Sequence, residues 1–556
     1  MTVRFVLTLH SHLPWVLHHG RWPHGSDWIC EAALDSYLPL VTMLEALETE
    51  DVAPAITLGI TPILAAQFAH PSFREELDTY FAHRLKTIDE APESLRHTGD
   101  ESLLPVVAFW KSHVEVLQAT WERIGKDLIA AFRRHALAGR IELISSAATH
   151  GFLPLLARDE SIRFQLLVGR SEHARHFGDL PRGCWVPECA YRPRGPWQPL
   201  PAAVRRPTRA GIEDHLRYAG FQWFFVDAHV VEAGETYDLY SGETRPRSPK
   251  GAKRSPYQGY RVGNVARGRP IYVLVRDPKT TAQVWSRHGG YPGEGAYLEF
   301  HKIRHPGGLK LWRVTDAAAD LGAKQPYDAA AAQEMAIRHA EHFGSLLEAI
   351  TKDAKPRDHA IIAPFDTELF GHWWFEGMDF LKSLYERVAA PGSGASAQGC
   401  IASTAGAALA AFPPRTSLRM STGSWGKDGD FSMWLNPETE WTWLRLWSLE
   451  ERFWNAVPAA MPRWEARGVL EQAARELLLA QSSDWQFIIS TGAAGDYATK
   501  RFVEHCEALE SLLPFLEHPT SDLTAGSALA SALQVIDGPF PDLIGAIAAA
   551  SDVTAA

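Results

Sequence analysis

Glu188 and Asp366 are the residues whose surroundings best suit them to bond-breaking chemistry. Glu188 lies in CWVPECAYRP at 184–193 and Asp366 in APFDTELFGHWW at 363–374, each just after an apolar run and among aromatic rings. Pro187 fixes its own backbone and disfavours helix at Val186, so Glu188 is presented from a strand terminus. Asp366 closes the run IIAPF; it can also serve as a helix N-cap, with Glu368 as first-turn acidity. Two carboxylates facing each other across one bond are what glycoside cleavage requires: one protonates the departing oxygen while the other attacks or activates water.

Histidines follow two other apolar runs. His10 and His12 alternate and so share a face at the end of the first run, and His150 follows another. Such residues can bind zinc, hold sugar hydroxyls or tune a neighbouring carboxylate. No third-ligand spacing supports zinc, and no metal or other cofactor is expected. The chain has 20 tryptophans, enough to supply both core and sugar-stacking surfaces. Trp425 and Trp434 bracket a glycine-rich loop and are better stacking platforms than Trp441 and Trp443, which fall in helical pattern.

Parallel strands joined by helices can bring these residues together. Apolar runs at 3–9, 53–59, 141–147, 184–187, 222–227, 270–275 and 359–365 alternate with helical stretches. This is the pattern of an α/β fold whose site lies at the C-terminal strand ends. The charged stretch 71–139 is too long for one crossover helix and reads as a helical insertion; from about 440 onward helical periodicity runs with no strand. The expected organisation is a barrel over 1–70 and 140–415, the insertion at 71–139, and helices over 416–556 that close the cleft, with disorder expected after about 517. The Gly/Pro-punctuated segment 229–264 reads as a lid on the site rim.

Composition narrows the function classes. A formal net charge of −11 argues against a nucleic-acid partner, since such binding relies on basic stripes. The apolar start of the chain is too short for an export signal, and no run is long enough to span a membrane. Five cysteines without CxxC spacing read as reduced thiols, which suits the cytoplasm.

Five segments carry a resemblance: LHSHLP at 9–14, ATHGFLPLL at 148–156, WVPE at 185–188, FDTELFGHW at 365–373 and WLNPE at 434–438. In this order they resemble the five sequence regions of glycoside hydrolase family 57. GRWPHG at 20–25, Trp285 with GYPG at 290–293, and SDWQF at 483–487 are similar to its 1,4-α-glucan branching group. The resemblance implies an incomplete (β/α)7 barrel with an inserted helical domain and a C-terminal all-α domain. It implies Glu188 as nucleophile and Asp366 as general acid/base, with His10, His12, His150, Arg276, Gly293, Trp285, Trp425, Trp434 and Asp484 on the substrate. Tyr257 is the preferred match for a tyrosine placed over the site. The implied partner is an α-1,4-glucan. A hydrolase of the same fold, a metal-dependent polysaccharide deacetylase and a silent glucan binder are the alternatives; the presence of both carboxylates disfavours the last.

Overall fold

The computed structural model describes residues 2–231, 236–237, 244–245, 254–262, 269–286, 289–305, 307–316, 318–389, 399–518 and 522–552. Seven parallel strands form the core of a ten-stranded sheet, to which Tyr260–Val262, Cys400–Ala402 and Ser417–Leu418 add at the margins: β1 (Val3–Ser11), β2 (Ile56–Ile60), β3 (Ile141–Ser146), β4 (Gly183–Trp185), β5 (Trp223–Val226), β6 (Ile271–Val275) and β7 (Ala360–Asp366). They are the seven apolar runs of the sequence, each nearly buried throughout, as parallel strands covered on both faces must be. Their order is β7-β1-β2-β3-β4-β5-β6, and every neighbouring pair is parallel. The ring is drawn together where Arg276, just past β6, bridges Ile362 of β7, and Asp277 N–H donates to the Ile362 carbonyl at 2.8 Å. This is the incomplete (β/α)7 barrel expected from the sequence.

Parallel pairing puts all seven C-terminal ends on one side. In the β1–β7 register His10 lies opposite Asp366, so residues far apart in sequence become neighbours on the site face.

Between β2 and β3 the chain builds the helices Pro71–Thr98, Leu104–Arg123 and Leu128–Leu137. In the first, Phe73, Leu77, Phe81, Ile88, Ala91 and Leu95 are buried at spacings of three, four and seven residues, one apolar stripe on a charged helix. Arg84 of this helix donates to the carbonyls of Gly307 and Gly308, and Trp110 of the next donates to that of Lys310. The inserted helices thereby brace the hairpin Ile303–Arg304/Leu309–Lys310.

The C-terminal part is helical, with the almost wholly buried helix Arg467–Ala480 at its centre. Among the described residues after 517, helices stand where disorder was expected. The tail forms the helices Leu523–Ile536 and Ile544–Ser551, and Phe540, Leu543 and Ile547 are buried. Arg475 donates to the carbonyls of Pro539 and Phe540, and Arg163 to that of Ala550. A few large apolar anchors and these arginine bonds fix a segment whose Ala/Ser/Gly content alone suggests no core.

The expected lid at 229–264 lies largely outside the described residues. Its described pieces include the short antiparallel pair Thr236–Tyr237 and Thr244–Arg245, the first of which runs beside the turn Lys427–Gly429. Leu543→Ala should lower unfolding free energy by about 2–4 kcal/mol, the cost of a core truncation. An unchanged urea midpoint would show that the tail is not part of the cooperative fold.

Candidate active site

Glu188 sits in a tight turn directly after β4 with φ +60°, a left-handed conformation unusual for a residue with a side chain. A neighbouring loop holds this strained turn. Trp425 N–H donates to the Glu188 carbonyl at 3.0 Å, while Tyr191 and Gly423 exchange backbone hydrogen bonds at 2.8 and 3.1 Å. The same loop reaches the carboxylate, where Trp425 Nε1 donates to Glu188 Oε2 at 2.7 Å and Ser483 Oγ donates to Oε1 at 3.2 Å.

Behind Ser483 runs a line of imidazoles. His150 Nδ1 is 3.0 Å from Ser483 Oγ, and His150 Nε2 is 2.9 Å from His10 Nε2. Because Ser483 gives its proton to Glu188, one assignment satisfies the line: His150 donates through Nδ1 and accepts at Nε2 from His10 Nε2–H. His10 Nδ1 then carries no proton, in keeping with its burial without a partner among the described residues. Burial first, then His12, holds both rings well below the ordinary histidine pKa, so they are neutral. His10 also stacks on Trp185 at 4.6 Å.

His12 turns another way, with Nε2 2.8 Å from Asp484 Oδ2 and Nδ1 3.1 Å from Thr61 Oγ1. Asp484 begins the helix Asp484–Thr491, so the C-terminal helices meet the barrel at this point.

Asp366 ends β7 and makes no side-chain cap hydrogen bond to the turn that follows, so the N-cap alternative is not realised. Burial first, then neighbouring Glu368, pushes its pKa up to about 7 against the pull of Arg276 and His12. Glu188 is likewise raised to about 7, by burial and by Asp366 and Asp484, against the hydrogen bond from Trp425. Each carboxyl therefore retains a proton far more readily than an exposed acid.

Arg276 extends from β6 over the Trp425 ring, 5.3 Å from its centroid, and donates through Nη1 to Asp227 Oδ2 at 3.0 Å. Burial opposes ionisation of Asp227, but His229 and Arg276 hold its pKa down at about 2. Arg276 Nε and Nη2 are buried without partners among the described residues, leaving donors for a bound molecule. Trp285 faces Trp373 at 6.2 Å beside the segment that carries Asp366, and Gly293 in the adjacent turn would leave a side chain in open space.

Two expected residues stand elsewhere. The Tyr257 carbonyl accepts hydrogen bonds from the N–H groups of His359 and Ala360 at 2.7 and 3.0 Å, at the start of β7. Asp366 lies at the other end of that strand, roughly 20 Å away at ~3.3 Å per residue. Tyr257 closes the seam between β6 and β7 and does not cover the carboxylates. Trp434 is only 1% exposed and packs 4.5 Å from Phe152, while Gly426 leaves room for its ring. It is core beneath the Trp425 loop, not a stacking surface.

Ser483, Glu368 and Tyr37 were not among the expected site residues. Ser483 adjoins Asp484 and follows from that segment, and Glu368 is visible as a third carboxylate. Nothing local marks Tyr37.

The chain belongs to glycosyl hydrolase family 57, whose model matches residues 6–397. A second model, that of the 1,4-alpha-glucan branching enzyme C-terminal region, matches residues 446–545. A 1,4-alpha-glucan branching enzyme of Thermococcus kodakarensis is 36% identical over 541 residues, spanning 96% of this chain and 77% of the relative. A probable 1,4-alpha-glucan branching enzyme of Mycobacterium tuberculosis is 30% identical, with 91% of each chain covered. The crystal structure of the Thermococcus branching enzyme superposes with TM-score 0.88 at 35% identity, covering 98% of this chain and 96% of that one. An alpha-amylase from Thermotoga maritima superposes with TM-score 0.77 at 26% identity, with 99% of each chain covered.

Trp425→Phe keeps an aromatic ring, though a smaller one, and removes the donor to Glu188. The pKa of Glu188 should rise by about one unit, the scale of one hydrogen bond to a charged group. Carbon-13 NMR titration of glutamate-labelled protein, with Glu188→Gln to assign the signal, reads that shift.

Proposed function

We infer that this protein is a retaining 1,4-α-glucan branching enzyme. The observation that carries the reading is a buried pair of carboxyl groups of opposite suitability. Glu188 is held by Trp425 and Ser483 with its oxygens fixed, whereas no hydrogen bond reaches the Asp366 carboxyl among the described residues. Glu188 attacks the anomeric carbon of an α-1,4-linked glucose as Asp366 gives its proton to the departing 4-oxygen. A covalent glycosyl-enzyme forms and the glucan beyond the cleaved bond leaves with a free 4-hydroxyl. Asp366, now a base, takes the proton from the 6-hydroxyl of an acceptor glucan, and attack by that oxygen releases Glu188 and makes an α-1,6 branch.

The surrounding residues have supporting roles in this reading. His150, through Ser483, and His10 behind it fix Glu188, and with His12 and Asp484 they hydrogen-bond the donor sugar; Arg276 offers it two donors. Trp285, with Trp373 and open-sided Gly293, walls the groove for the glucan. Transfer in preference to hydrolysis requires excluding water after the first step. The fold shared with the Thermotoga amylase does not select transfer by itself. Greater identity to the branching enzymes over nearly the whole chain, and the match of the C-terminal region, favour it. We place the reaction in the building of a glycogen-like polymer in the cytoplasm. Five buried, unpaired cysteines support a reducing compartment.

Incubation with amylose tests the assignment directly. Reducing ends should increase little before debranching and strongly after it; a large rise before debranching, with none added afterwards, would make the protein an amylase. Glu188→Gln should abolish turnover while leaving the melting temperature within a few degrees of the parent's. Since Glu188 must be ionised and Asp366 protonated, and both titrate at about 7, kcat/KM should trace a narrow bell centred near neutrality. Activity should survive chelation and dialysis.

A further inference from the structure

Between the helices Ser26–Ala32 and Leu38–Thr49 the chain makes one π-helical turn, Ala33–Tyr37, all five residues of which are buried. Such turns interrupt the regular hydrogen-bond ladder and recur at functional sites. Here the last three residues all meet the segment that leaves β7. Asp35 Oδ2 lies 3.3 Å from His372 Nδ1, Ser36 Oγ accepts from His372 N–H at 3.2 Å, and the Tyr37 hydroxyl donates to Glu368 Oε1. The Asp35 carbonyl fits against Gly371, where a Cβ would fall 1.8 Å from the oxygen. In a regular α-helix successive side chains diverge by about 100°, so three in a row do not converge on one strip of chain. The wider turn allows it.

Glu368 stands two residues beyond Asp366, and its Oε1 also accepts from His12 N–H at 3.1 Å. Two donors thus converge on one oxygen of Glu368, whereas no hydrogen bond to the Asp366 carboxyl is found among the described residues. When neighbouring buried acids share a proton, hydrogen bonds to one carboxylate leave the proton on the other. We propose that Glu368, held by Tyr37 from the π turn, is the positioning residue that keeps the proton on Asp366 for delivery to the leaving oxygen. This rests on the reading of Asp366 as acid/base.

Burial raises Glu368 to about 7, as it does Asp366, so the two carboxyls compete for the proton and the hydrogen bonds to Glu368 decide where it sits. Asp366 is faced by Glu368, by His12 after β1, by Arg276 after β6, by Glu188 after β4 and by Tyr37. Glu368 is faced by Tyr37, His12 and His372, with Glu31, Asp35 and Lys310 behind His372. Arg276 and His12 draw the proton from Asp366, and Glu368 opposes them.

The test uses the full chain with Glu368→Gln and Tyr37→Phe. Branching of amylose is followed against pH, alongside an aryl α-malto-oligosaccharide whose leaving group departs without protonation. The first variant removes the neighbouring charge, and the second removes a donor that keeps it ionised. Both should move the alkaline limb of the amylose profile to lower pH by about one unit, cutting kcat near pH 7 about fivefold with KM little changed. Cleavage of the aryl donor should fall much less. An unmoved alkaline limb in the folded variants, or equal losses on both donors, would overturn the proposal. If Glu368→Gln does not fold, Tyr37→Phe decides alone, since it removes a single hydroxyl. The unmutated protein and Glu188→Gln run in parallel: absence of branches in the first, or turnover in the second, counts against the branching assignment itself and not against the role of Glu368.

Discussion

A carboxyl group taken out of water needs donors placed around it, and this protein buries Glu188, Asp366 and Glu368 at one end of one barrel. Most of the architecture near the site answers that requirement. The Trp425 loop and Ser483 supply donors to Glu188; Tyr37 and the His12 backbone supply them to Glu368. Asp366 is left with Arg276 nearby and no hydrogen bond to its carboxyl among the described residues, which suits the proposed role of proton donor. Neutral histidines complete the arrangement, since His10 and His150 pass hydrogen bonds toward Glu188 without adding a charge that would neutralise it.

The elements outside the barrel act on the site through short chains of contact. The inserted helices brace the hairpin carrying Lys310, whose ammonium lies 3.3 Å from Asp35. Asp35 in turn belongs to the π turn that grips the segment after Asp366. On the opposite side the C-terminal helices bring Ser483 and Asp484 onto His150 and His12. The loop after β1 is tied down as well: Trp15 Nε1 donates to the Ile536 carbonyl, and Arg501 donates to that of Trp15.

The seven strands were legible because buried parallel strands need continuous apolar runs, and a residue that follows such a run must lie on the site face. Glu188, Asp366, His10, His12, His150 and Arg276 are all of this kind. Legibility failed where residue type and environment part company. Trp434 has a side chain suited to stacking on sugar, yet its neighbours enclose it. Tyr257 sits in a Gly/Pro-rich stretch with no periodicity to fix its direction, and it seals the wrong end of a strand. The tail has the composition of a disordered segment, but Phe540, Leu543 and Ile547 are enough to dock it. The π turn is least readable: all of Ala33–Tyr37 is buried, so no alternation of polar and apolar residues marks it, and the direction of Tyr37 toward Glu368 emerges only in three dimensions.

The clamp on Glu188 has a consequence for the order in which the protein is made. The left-handed turn after β4 is closed by Trp425, and its carboxylate is met by Ser483, both encoded well after β7. A nascent chain that has completed all seven strands therefore carries both carboxylates but not the groups that anchor the first of them. Domains fold as units during synthesis, so the barrel can be in place while its chemistry is still unassembled. Competence to act on polysaccharide arrives only once the chain has been made through Ser483.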